Sequence, residues 1–128
     1  MRIRMMAMLV MATVAGVAQA DTRATMQETL ERYTPYLGEQ VAGFTFWDLH
    51  KWKPAGPEKV IVWPTIKTAF LVTVEKPCPR LEWARGIGLG SQQSHQVQVR
   101  IDHVQVGSQR CRIEEIRPVD LEAMNKAR

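Results

Sequence analysis

The sequence predicts an α+β, mainly β fold. The expected architecture is a small antiparallel sheet or partly closed barrel of about six to seven short strands, with a helix ahead of it and a disulfide across it. Three observations point there. Residues 59–63 (KVIVW) and 68–74 (TAFLVTV) are β-branched and aromatic runs without a breaker. Residues 95–106 (HQVQVRIDHVQV) alternate apolar and polar with a period of two. Cys78 and Cys111 are the only two cysteines of the 128-residue chain, 33 positions apart, and are read as one structural disulfide. A closed loop of that length contributes about 3–4 kcal/mol by constraining the unfolded chain.

The first twenty residues, MRIRMMAMLVMATVAGVAQA, have the pattern of an export signal. Arg2 and Arg4 precede an apolar run too short to span a bilayer core of about 30 Å with ease. The run closes on Val17-Ala18-Gln19-Ala20, so cleavage is expected after Ala20. No cysteine at that point favours a lipid anchor, and no stable membrane anchor is expected after cleavage. What remains, residues 21–128, reads as a single exported domain: an N-terminal helix over 21–37, a β core over 41–118 and a tail over 119–128. The full chain carries 17 basic and 13 acidic residues, and loss of Arg2 and Arg4 leaves a net charge of +2. Five of the seven methionines leave with the signal, which removes the ligands of a methionine-based copper site.

Residues 22–33 read as an amphipathic helix with Met26, Leu30 and Tyr33 on one stripe, packed against the sheet. Thr25 and Glu28 fit a capping box, with Asp21 or Thr22 as the alternative cap, and Pro35 stops the helix. Residues 41–52 carry Phe44, Phe46, Trp47 and Trp52, and the change of parity between Phe46 and Trp47 suggests a twisted or bulged strand. Residues 54–57 (PAGP) read as a loop. Residues 59–63 are expected to be covered on both faces and to form a hairpin with residues 68–74. Residues 80–84 (RLEWA) read as a helical turn with Leu81 and Trp83 inward. Residues 86–90 read as a strand whose glycines admit close approach of another segment. Within residues 95–106, Val97, Val99 and Ile101 share a face, whereas Val104 and Val106 lie on the other parity. A bulge or sharp bend is therefore expected around Asp102-His103. Residues 111–116 (CRIEEI) form the closing strand, Pro118 ends it, and residues 121–128 read as a frayed helical tail.

On these residues the chain resembles a bacterial family of small exported proteins catalogued as domain of unknown function 6491. The shared marks are the Pro-Cys step at Cys78, Ile87-Gly88-Leu89, Asp102-His103-Val104 and the segment from Cys111 to Asp120. Trp52 to Gly56 and Ala69 to Leu71 fit as well. The resemblance implies a mainly β or α+β exported domain and supplies no catalytic residues.

Few chemistries fit the motifs. Ser91, Ser94 and Ser108 lie in apparent turns, and no G-x-S-x-G occurs. His50, His95, His103, Asp48 and Asp102 are the candidate metal ligands, and their spacing reads as surface residues, so no metal or cofactor is expected. Glu114 and Glu115 are strand neighbours and point to opposite faces; one of them is expected to pair with Arg100, Arg112 or Arg117. Asp102 and Asp120 suit hydrogen bonds that fix turns. A net charge of +2 without an arginine-rich stripe excludes nucleic acid as the expected partner. The favoured reading is a non-enzymatic binding or structural module of the cell envelope that recognises an envelope protein or component. The competing reading is a small-ligand or metal-binding protein, or an enzyme, with a pocket lined by Trp47, Trp52, Trp63 and Trp83 beside Arg100, Asp102 and His103.

Overall fold

The computed structural model describes residues 15–90 and 95–127. The elements are α1 (Ala15–Tyr33), β1 (Gly43–Thr45), β2 (Lys51–Gly56), β3 (Lys59–Trp63), β4 (Ala69–Val74), β5 (Gly88–Gly90), β6 (Gln96–Gln98), β7 (His103–Val106), β8 (Gln109–Val119) and α2 (Leu121–Lys126). Single 3₁₀ turns follow α1 at Thr34–Tyr36 and precede β5 at Leu81–Trp83. Six strands form one curled antiparallel sheet in the order β2-β3-β4-β8-β7-β5, and β1 pairs with β6 as a separate two-stranded ribbon.

The central strand is β8, which runs for 11 residues. One edge pairs with β4 from Ala69↔Val119 to Val74↔Ile113. The other edge is divided among three segments. β7 takes residues 109–112, the turn at 100–102 takes Ile113 and residues 36–41 take the far end. Val41 N donates to Ile116 O and Gly38 N to Pro118 O, each at 2.8 Å. This last pair explains why Pro118 lies inside the strand instead of ending it. Its carbonyl faces the 36–41 segment, so its missing N–H does too, and the ladder to β4 loses nothing. A register shift opposite Thr73/Val74 makes Glu114 an extra residue in β8. That bulge keeps Cys111, Ile113 and Ile116 on one face despite their uneven spacing.

The sheet is covered on both faces over β3 and β4. Val60, Val62, Val72 and Val74 enter one core with Leu81, Val97, Val104, Val106 and the β8 residues. Ile61, Trp63, Ala69 and Leu71 enter a second core with Tyr33 of α1 and Met124 of α2. Burial on both sides is why KVIVW and AFLVTV read as continuous apolar runs. Each fully buried Val or Ile here contributes about 1.5–3 kcal/mol. Of the helical stripe, Met26 and Tyr33 are buried and Leu30 packs on the second core; Tyr33 meets Trp63 edge to face. The helix–sheet packing and the β3–β4 hairpin match the sequence reading.

Several local expectations are corrected. Ala15 is already helical, so Asp21, Thr22 and Thr25 are all interior and no cap or capping box forms there. Residues 1–14, most of the expected export signal, lie outside the described residues, as does the expected turn at 91–94. Residues 41–52 form two strands rather than one bulged strand, because the parity change at Phe46-Trp47 is a full break between the ribbon and the sheet. Residues 54–56 belong to β2 rather than a loop; Ala55 is fully buried and the turn to β3 is the 57–58 pair. The sharp bend expected around Asp102-His103 is present, as a turn that divides residues 95–106 and sends β6 to the ribbon and β7 to the sheet. Leu81 is buried but Trp83 is turned outward. Around Gly88 and Gly90 an added Cβ would make only ordinary contacts, and around Gly86 none. The close approach is at Gly43 instead, where a Cβ would stand 2.3 Å from Val97 O. The tail is ordered: Asp120 Oδ1 caps α2 by accepting from Ala123 N, and Met124 anchors it.

Candidate functional site

Cys78 and Cys111 are joined in a disulfide, with Cα atoms 5.9 Å apart. Cys111 belongs to β8, and Cys78 lies in the loop between β4 and the Leu81–Trp83 turn. Both are buried in the first core. The bond ties the central strand to the segment that seals the end of that core beside Leu81. Arg23 of α1 reaches the same turn through a 3.0 Å contact with Glu82.

The four tryptophans do not converge. Trp52 and Trp63 lie on opposite faces of the sheet: Trp52 pairs with Val62 and packs on the first core, while Trp63 belongs to the second. Lys51 Nζ sits 4.7 Å over the Trp63 ring, which places that lysine on the outer rim of the helix-covered face. Trp83 is 49% exposed and Trp47 is 73% exposed. One pocket lined by all four is therefore not formed, since a strand's successive side chains point to opposite faces.

Asp102 and His103 also part company. Asp102 is 1% exposed, and its Oδ2 accepts from Gln98 N at 2.6 Å. Its backbone N–H bonds Gln98 O, and its carbonyl accepts from Ile113 N. The carboxylate thus holds the turn that ends β6. His103 stands across from Arg112 on the outer face of β7–β8. Arg100 occupies the same turn with φ of 68°, a left-handed conformation uncommon for a residue with a Cβ. Its N–H donates to Ile113 O, and it borders a shallow groove of 420 Å³ with Gln40, Val41, Ala42 and Val99. Arg112 pairs with Glu75 at 3.9 Å, both ends exposed; among the described residues neither Glu114 nor Glu115 forms an ion pair. Among the described residues no three of His, Cys, Asp and Glu gather closely enough to hold a metal ion.

A different constellation does form. Trp47 follows the ribbon strand β1, and His95 precedes its partner β6. The two rings stack with centroids 3.5 Å apart and planes 20° from parallel. The ribbon sets this geometry: Phe46 N donates to His95 O, and Gln96 Nε2 reaches Thr45 Oγ1. His95 pays for the fit with a left-handed backbone, φ 56°. The residue after Trp47, Asp48, lines an open groove of 480 Å³ with His50, Pro64, Thr65, Ile66 and Lys67. Thr65 Oγ1 holds the 65–68 turn, bonding Thr68 Oγ1 and the Thr68 amide. Ile66 is 73% exposed at the tip of that turn. The sequence placed Trp47 in a ligand pocket with the other tryptophans and His50 and His95 among the candidate metal ligands, and it did not single out Ile66. An isoleucine flanked by Pro64-Thr65 and Lys67-Thr68, between two strands, was the available signal of an exposed apolar spot.

The chain belongs to a family of unknown function, DUF6491, whose profile matches residues 1–128. Comparison with curated proteins and with solved structures found no match.

Proposed function

We propose that this member of DUF6491 is an exported, non-enzymatic binding or structural module of the cell envelope, periplasmic or secreted. The observation that carries the reading is the Cys78–Cys111 disulfide, buried in the core of the sheet. Such bonds persist in oxidising compartments and are rare where glutathione keeps thiols reduced. The leader-like composition of residues 1–20 supports the same reading, with residues 21–128 as the working domain. No described helix is long and apolar enough to cross a membrane. A binding rather than catalytic role is supported by how the polar side chains are spent. Asp102 and Asp120 hold a turn and a helix cap, while exposed Trp47 and Trp83 present rings to solvent. The partner in this reading is an envelope component, not nucleic acid.

Fractionation of cells expressing the full chain, followed by thiol alkylation and mass spectrometry, tests this. The expected result is a chain beginning at Asp21, outside the cytoplasm, with Cys78 and Cys111 protected from alkylation. Full-length chain in the cytoplasm with both thiols alkylated would overturn it.

A further inference from the structure

We infer that Trp47 and the groove that begins at the next residue, Asp48, together form a saccharide-binding site for an N-acetylated pyranose unit. The inference deepens the envelope-binding reading, but its test uses purified protein and does not depend on where the protein resides.

Three observations carry it. First, Trp47 is 73% exposed, yet held in place by its stack on His95. An indole ring stacked on one side and open on the other is a rigid platform. The axial C–H bonds of a pyranose present a flat, slightly positive face, which suits the negative face of an aromatic ring. Second, the groove that starts at Asp48 has a volume of 480 Å³, in the range of small-ligand sites. Its rim offers the second carboxylate oxygen of Asp48, whose Oδ1 already accepts from Leu49 N at 2.8 Å, and donors from His50 and Lys67. Among the described residues the His50 and Lys67 side chains make no hydrogen bond. Third, Ile66 places an exposed apolar side chain on the same groove. The methyl of an acetamido group needs such a contact, and a plain hexose does not.

Charge argues for a neutral glycan over other occupants. Asp48 and Lys67 on one groove give it both signs, so neither an anionic polymer nor an anionic lipid surface finds a matching field. The small apolar area, one indole and one isoleucine, is short of what a stable protein interface needs.

The experiment is a titration of ¹⁵N-labelled chain followed at the indole N–H resonances of its four tryptophans. The probes are the β-1,4-linked trimer of N-acetylglucosamine and cellotriose, its counterpart without acetamido groups. The expected result is a saturable shift of the Trp47 resonance by the acetylated trimer, with cellotriose several-fold weaker. Trp47→Ala should weaken binding at least about tenfold, the loss of the one stacked ring. His50→Ala and Lys67→Ala should each weaken it a few-fold, and Trp83→Ala should leave it unchanged. Trp47 is exposed, so its replacement leaves the fold intact. A Trp47 resonance unmoved by the acetylated trimer, or equal affinity in Trp47→Ala, overturns the site. Equal binding of both sugars overturns the acetamido assignment. A shift with phosphatidylglycerol vesicles and none with either sugar overturns the saccharide in favour of a membrane surface.

Discussion

The six-stranded sheet and the β1–β6 ribbon are both antiparallel β-structure, and they are stabilised in different ways. β3, β4 and β8 each have a neighbour on both edges, and β3 and β4 are packed on both faces. The ribbon has three residues in each strand and buries one face, through Phe44 and Val97. Phe44 stacks on Phe70 of β4 with ring centroids 4.5 Å apart, which docks the ribbon on the sheet. Two non-glycine residues in the left-handed region, His95 and Arg100, flank β6. Such conformations cost on the order of 1–3 kcal/mol each and persist where the surroundings hold them. The sheet therefore carries the stability, and the ribbon carries the strain and the exposed Trp47 stacked on His95. That is the usual division between a scaffold and a recognition surface.

The largest expected effect falls on the scaffold. Replacing both Cys78 and Cys111 with serine should lower the unfolding free energy by about 3–4 kcal/mol. Because Cys111 lies on the central strand, fluorescence and far-ultraviolet dichroism should lose their signals together in a urea titration. An unchanged midpoint would show that the bond carries no stability.

A smaller and more local effect is expected at Gly43→Ala. The new Cβ would meet backbone, Val97 O at 2.3 Å, so the ribbon must shift to admit it. The cost should be about 1–3 kcal/mol. Hydrogen exchange should quicken at Val99, whose amide bonds Ala42 O, before it changes in β4 or β8. Equal acceleration in β4 would mean that ribbon and sheet are one cooperative unit.

The smallest effect has the opposite sign. Arg100→Gly should stabilise the protein by about 0.5 kcal/mol. It removes a left-handed strain of about 1–2 kcal/mol, less the added chain entropy of glycine, about 0.5–1 kcal/mol. A fall in melting temperature would show that the arginine side chain supports the turn more than its backbone strains it.

The contrast also explains what could be read in the chain beforehand. The strands at 59–63 and 69–74, their hairpin, the Cys78–Cys111 pairing and the stop after Tyr33 were legible, because each follows from a local pattern with one physical solution. The parity slips at Phe46-Trp47 and Asp102-His103 were legible as irregularities. Their meaning was not, since a slip signals that side chains change faces and is silent on whether the strand bends or changes sheets. The candidate site was legible only as separate residues. Trp47 and His95 are 48 positions apart, and only the pairing of β1 with β6 brings them together.

Composition and periodicity by themselves determined that this protein is a mainly β domain with an N-terminal helix and one crosslink. Apolar runs, alternation and a lone pair of cysteines act through short-range sterics and burial. Tertiary structure decided that β8 is central rather than closing, that Pro118 and residues 54–56 sit within strands, and that Trp47, not Trp63, meets solvent. Those outcomes depend on which edge of a strand finds a partner and which face finds a cover. Both are set by segments distant along the chain.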